Sequence, residues 1–198
     1  MQELRSLAQE AAEDIFFGQV VIIVARWFII VAGVILGLWS STSTTQMTLT
    51  TLLFIPLIAI NFFIHGRYLM EQPVNQTLLV ILALLDMVLI TLLVLVWPDA
   101  EARGTKSPYF IFYYPIILAF AFVFPPRLTT VYAVLTLAAY VAVCLVADIS
   151  FIRDGEELER LVIRLITLGS MAALATYYWR ILRERRRAIS DGGQSLAL

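Results

Sequence analysis

The chain has 198 residues, of which 61% are apolar and 15% charged, with a net charge of −1 and a mean hydropathy of +0.87. Soluble domains carry about 45–50% apolar and about 25% charged residues. The composition therefore excludes an ordinary water-soluble enzyme, a disordered segment and, without a basic field, a nucleic-acid binder. A single cysteine (Cys144) and a single histidine (His65) exclude a disulfide framework and Cys- or His-cluster metal sites, which leaves lipid as the solvent.

Taken in chain order, the pattern predicts an all-α polytopic membrane protein. Residues 1–14 place Leu4, Leu7, Ala8, Ala11 and Ala12 at helical spacing and read as an amphipathic helix on the inner membrane surface. This stretch is acidic, without a basic n-region or a small-residue cleavage site, so it does not read as a signal peptide. A crossing helix needs about 20 mainly apolar residues. Six segments meet that need, at 15–39, 47–68, 77–97, 108–124, 128–146 and 158–179, the last continuing as charged helix to residue 189. The expected organisation is a surface helix (1–14), a six-transmembrane-helix bundle (15–182) and a cytoplasmic stub of the last helix (183–198).

Six crossings put both termini on one side. That side receives Arg5, Arg67, Arg127 and the run Arg180, Arg183, Arg185, Arg186 and Arg187, against Arg103, Lys106, Arg153 and Arg160 on the other. The positive-inside rule then places both termini in the cytoplasm of a cell with an inner membrane. Trp39 and Trp97 flank the outer face, and Tyr68 and Trp179 the inner one. The outer loops are too short for a ligand-binding domain, so any signal or substrate is read in the membrane or at its surface.

Ionisable groups inside a bilayer cost about 2.5–3.5 kcal/mol at a helix centre and turn inward towards partners. Asp86 lies mid-span in the third segment, Arg26 inside the first and Arg164 inside the sixth. Arg26 and Asp86 differ in depth by about 5 Å at the helical rise, so they are expected to pair, and Arg164 is expected to pair with Asp148. Each pair reads either as a structural clasp or as part of a site. Asp86 is the sharper candidate, as proton acceptor or polar anchor, because a short carboxylate at mid-depth cannot reach the headgroups.

The fourth segment is aromatic, with Tyr109, Phe110, Phe112, Tyr113, Tyr114, Phe120, Phe122 and Phe124. Pro108 opens it at a position that tolerates a missing N–H, and Pro115 is expected to kink it. An aromatic wall beside a kink suits a planar apolar ligand such as a quinone, although tyrosine at the interface and phenylalanine towards lipid would give the same composition. Arg26, Asp86, Ser107, Pro108, Tyr109, Tyr113 and Pro115 are the candidate ligand-binding residues. His65 reads as interfacial and Cys144 as packing.

The sixth segment is the most regular. Leu158, Leu161, Leu165, Leu168, Ala172, Ala175, Trp179 and Leu182 follow 3,4 spacing into the basic run. The stripe from Leu165 to Leu182 reads as a rigid transmission helix in a homodimer, or as packing within one chain. Gly33 and Gly37 form a small-xxx-small pair that brings helices close.

Arg26-Trp27 in the first span, Asp86 in the third and Gly104-Thr105-Lys106-Ser107-Pro108-Tyr109 before the fourth resemble the six-helix membrane sensor region of bacterial histidine kinases, above all the redox-responsive RegB type. In that family an Arg-Trp pair begins the first helix and a Gly-Gly-x-x-Asn-Pro-Phe-like loop, associated with quinone sensing, precedes the fourth. Here Arg103 stands in place of the first glycine, Ser107 in place of Asn and Tyr109 in place of Phe, and Cys144 does not correspond to the family's cytoplasmic redox cysteine. Similar bundles also precede diguanylate cyclases.

The resemblance implies a membrane-embedded, non-catalytic signal-transducing module of a two-component-type receptor. It would couple a membrane-borne cue, a quinone or another hydrophobic ligand, to a kinase or cyclase output domain in cis or in trans. No metal and no nucleic acid are expected. The alternative is a small vitamin or metabolite transport subunit, with Arg26, Asp86 and Arg164 lining one site. An intramembrane enzyme is the weakest reading, since no catalytic pairing occurs within the spans.

Overall fold

The computed structural model describes residues 2–40, 43–72, 74–96 and 103–195. Six α-helices follow in order: α1 (Gln2–Ser40), α2 (Thr44–Leu69), α3 (Gln76–Val96), α4 (Tyr113–Val123), α5 (Pro126–Ala147) and α6 (Gly155–Ser195). Short 3-10 turns at Gly104–Lys106, Pro108–Phe112 and Ile149–Arg153 complete the connections, and there is no strand among the described residues. The described residues are all helical or in turns, and the long apolar helices fit a membrane-embedded protein. Five helices are long and apolar enough to cross a bilayer, and Pro108–Val123 is a shorter apolar stretch.

Local chemistry sets the helix starts. Asn75 Oδ1 accepts from the Thr77 N–H before α3, and Asp154 Oδ1 accepts from the Glu156 N–H at the start of α6, each satisfying an orphan amide of a first turn. Glu156 and Glu157 in that turn also favour the positive end of the helix dipole. Pro126 opens α5, where the missing N–H has no partner to lose.

Four expectations change. Residues 2–14 form the first turns of a continuous 39-residue α1 rather than a helix apart from the first span. Pro115 does not sit inside a long fourth helix. The 3-10 stretch carries the chain to Phe112, α4 starts at Tyr113, and Pro115 falls in the first turn, where a proline costs no hydrogen bond. Most of the aromatic residues of this segment go into the core, while Phe110, Tyr114 and Phe122 stay half-buried. Tyr109, Phe112, Tyr113, Phe120 and Phe124 are buried, and α4 packs on α1, α3, α5 and α6, so it is the hub of the bundle. Phe120 stacks on Tyr132 with ring centroids 4.0 Å apart.

The fourth change concerns α6. Leu161, Leu168, Ala172 and Ala175 are buried and α6 packs on α4 and α5, so the heptad stripe serves the chain's own core. The outward face carries Val162, Ile163, Ile166 and Leu174. Leu182 lies in α6, but its side chain, like Trp97 and loop residues 98–102, lies outside the described residues.

The glycine pair acts within one chain. The Phe54 ring lies over Gly33, and the Thr50 methyl would come within 2.9 Å of a Cβ on Gly37. Both glycines therefore set the close approach of α1 and α2.

Candidate functional site

The polar layer of the bundle is built on α1, α2 and α3. Arg26 Nε donates to Asp86 Oδ2 at 2.7 Å, and Arg26 Nη2 donates to the Leu82 carbonyl at 3.0 Å. Both side chains are almost fully enclosed, so the pair forms without help from water. Asn61 of α2 lies at the same depth but makes no hydrogen bond to the pair. Gly37 faces Thr50 and Gly33 faces Phe54, and continuing this antiparallel register seven residues further sets Asn61 of α2 level with Arg26. Asn61 is wholly buried.

Arg26 Nη1, Asp86 Oδ1 and both polar atoms of the Asn61 amide make no hydrogen bond among the described residues. Buried polar groups nearly always find partners, and unmet ones in a low-dielectric interior are costly. This layer thus keeps hydrogen-bond donors and acceptors to offer a polar group. A second buried amide, Gln19, is fully used. It donates to the Ile64 carbonyl and accepts from the Val74 N–H, each at 3.1 Å, and ties α1 to the end of α2.

From Ala83 and Met87, which flank Asp86 on α3, a seam of side chains climbs between α3 and α5. The Tyr132 hydroxyl donates to the Ala83 carbonyl at 2.9 Å, and Thr136 Oγ1, which donates to the Tyr132 carbonyl at 2.8 Å, lies 3.4 Å from Met87 Sδ. One turn higher, Thr91 Oγ1 and the Tyr113 hydroxyl share a hydrogen bond of 2.8 Å, and the Tyr113 ring meets Tyr140 edge-on at 5.6 Å. Tyr132, Thr136 and Tyr140 recur every four residues on α5, opposite Ala83, Met87 and Thr91 at the same spacing on α3. Two parallel helices in constant register produce this arrangement.

The seam ends on α6. Arg164 Nη1 donates to the Tyr140 hydroxyl at 2.9 Å and to the Ser107 carbonyl at 3.3 Å, and its guanidinium lies 4.2 Å above the Phe110 ring. The connection before α4 is held at a second point two turns away on α6. Glu157 takes a hydrogen bond from Thr105 Oγ1 at 3.0 Å and an ion pair with Lys106 Nζ at 2.7 Å. Ser107 Oγ accepts from the Tyr109 N–H. Gly104, at φ +56°, turns through the left-handed region against the end of α5, with Ala147 Cβ 3.2 Å from where its own Cβ would sit.

The expected Arg26–Asp86 contact is present at 2.7 Å, whereas the expected Arg164–Asp148 pair is not formed. Asp148 points into its own turn and accepts from the Ser150 N–H at 2.8 Å, which lowers its pKa. Arg26 and Asp86 on one side and Arg164 on the other take separate partners instead of lining one site. Among the candidate ligand residues, Ser107, Tyr109 and Tyr113 are buried in packing, Pro115 is half-buried and Pro108 is exposed. Among the described residues no group of three or more His, Cys, Asp or Glu side chains could hold a metal ion.

Sequence reasoning missed Asn61, Gln19, Glu157 and Tyr140 as members of these clusters. Asn61 and Gln19 carried a signal, a short polar side chain inside an apolar run. Glu157 carried none, since an acid at a helix start is ordinary. Comparison with protein-family models, curated proteins and solved structures finds no match.

Proposed function

We propose that this chain is a membrane-embedded sensor module of the kind found in RegB-like histidine kinases. In this reading Arg26, Asn61 and Asp86 form the layer that reads a membrane-borne cue, a quinone or another hydrophobic molecule with a polar group. The α3–α5 seam and the Gly104–Ser107 loop pass the change to α6. The single observation that carries it is the run of contacts from Thr91, just beyond Asp86 on α3, through Tyr113 and Tyr140 to Arg164, on a helix that continues without interruption to Ser195. A helix clamped at one end and continuous to the other moves as a lever.

The reading includes six crossings, with Pro108–Val123 as the short one, and both termini in the cytoplasm. Arg67, Arg127 and Arg180 gathered at the end where α6 leaves support that orientation. It also includes a homodimer and a kinase or cyclase output in cis or in trans. Coupling between sites requires an element with two arrangements that both sites bias, and α6 is the element assigned that role.

A diguanylate cyclase fused after Ile189 tests the reading. Arg164→Gln is expected to change cyclic-dinucleotide output at unchanged protein level, and Asp86→Asn to change its response to oxidised against reduced membrane quinone. Output equal in all three proteins would overturn the reading, as would solute uptake by proteoliposomes carrying the chain alone.

A further inference from the structure

A groove of about 250 Å³ opens to the outside of the bundle between α1 and α2, in the half next to their connection. It follows α2 from Met47 to Ile58, about 16 Å at the helical rise, with Val34, Gly37 and Leu38 of α1 on the facing wall. Ile58 lies one turn short of Asn61, so the groove is separate from the Arg26–Asp86 layer. Val34, Leu38 and Ile55 are exposed at its mouth, and its lining residues are all uncharged.

One wall residue stands out. The threonines on either side of it bond back into their own helix, Thr48 Oγ1 donating to the Thr44 carbonyl at 2.9 Å and Thr51 Oγ1 to the Met47 carbonyl at 2.7 Å. Thr50 does not. Its methyl rests against Gly37, only 6% of the residue is exposed, and its Oγ1 meets no partner among the described residues. A buried hydroxyl without a partner is costly. Threonine also has two rotamers open to it in a helix, so this hydroxyl can turn to a polar atom placed in the groove.

We propose that the groove binds a neutral, lipophilic molecule of the alkylphenol class, its one oxygen hydrogen-bonded to Thr50. Uncharged walls require a neutral occupant. The Met47 thioether and the Phe54 ring, both on the wall, favour an aromatic ring over an acyl chain. A dry cavity of about 150 Å³ holds benzene, so this groove takes one ring with a short alkyl substituent. The site stands whether or not the chain signals.

Photolabelling of the full chain in detergent tests the proposal, with a trifluoromethyl-diazirinyl phenol and its hydroxyl-free phenyl analogue as probes. Labelled positions are mapped by peptide mass spectrometry and normalised to labelling at Val131 and Leu135, which are exposed on α5. The phenol is expected to label the groove about fivefold more than the analogue, the ratio one hydrogen bond provides. Thr50→Val keeps the side-chain shape and should bring the phenol down to the level of the analogue. Thr51→Phe places a ring in the groove from an exposed position and should lower labelling by both probes, so the outcome does not depend on Thr50→Val folding. Equal groove labelling by the two probes in the native protein would overturn the proposal and make hydrocarbon chains the occupant. So would phenol labelling that is unchanged in Thr50→Val, or in Thr51→Phe, which would put the probe on the outer surface of the helices.

Discussion

Arg164 Nη1 donates to the Tyr140 hydroxyl at 2.9 Å while its guanidinium rests on the Phe110 ring. One α6 side chain thereby holds α5, the Ser107 carbonyl and the aromatic segment before α4. Tyr140→Phe removes one neutral acceptor and should cost about 0.6 kcal/mol, the average for hydrogen bonds within membranes. Arg164→Ala removes all three contacts and should cost about 2 kcal/mol. Unfolding of the detergent-solubilised protein reads both, and equal losses in the two variants would mean that only the hydroxyl contact matters.

Arg26 and Asp86 are worth far less as a pair than either costs alone. Asp86→Ala or Arg26→Ala leaves an uncompensated buried charge and should destabilise by about 3–5 kcal/mol. The double replacement Arg26→Met with Asp86→Leu should recover most of that stability. A double variant as unstable as the sum of the single ones would show that the two side chains do not act on each other.

Gly33 and Phe54 set the distance between α1 and α2. Gly33→Leu overlaps the Phe54 ring and should cost about 1–3 kcal/mol or more through overpacking. Adding Phe54→Ala should restore part of it. Lack of rescue in a thermal melt would place the effect outside this contact.

The Lys106–Glu157 clamp has a defined pH dependence. The hydrogen bond and charge of Glu157 hold the Lys106 ammonium above its ordinary value of 10.5. A raised lysine contributes stability fully below the unfolded value and loses it as pH rises through the folded one. The difference in melting temperature between the native protein and Lys106→Met should therefore be constant through neutral pH and shrink above 10.5. A difference already shrinking near pH 8 would contradict the assignment.

Much of the helix order could be read from the sequence, because lipid demands long apolar runs and punishes stray charge. Arg26 and Asp86 could be matched because both are costly at nearly the same depth. Arg164 could not be placed the same way. Depth counted along a helix does not say which way a side chain faces, and Asp148 was already occupied by the Ser150 amide. The heptad stripe of α6 identified a buried face without naming its partner; Leu161, Leu168, Ala172 and Ala175 of that stripe are buried where α6 meets α4 and α5. The aromatic segment misled for a related reason. Tyrosine and phenylalanine suit lipid, ligand or core equally by composition, and only the packing of α4 on α1, α3, α5 and α6 distinguishes the three. Asn61 was legible in principle, as an amide that an apolar run has no reason to contain unless it meets the Arg26 layer.

The central claim is that α6 works as a lever, and helical phase tests it most directly. With a diguanylate cyclase fused after Ile189, alanines are inserted one at a time, from one to seven, at the junction, and cyclic-dinucleotide production is measured. A lever predicts output that falls and recovers with a period of about 3.5 residues, the phase in which a supercoiled helix repeats its faces. Output that stays level across all seven insertions would contradict it.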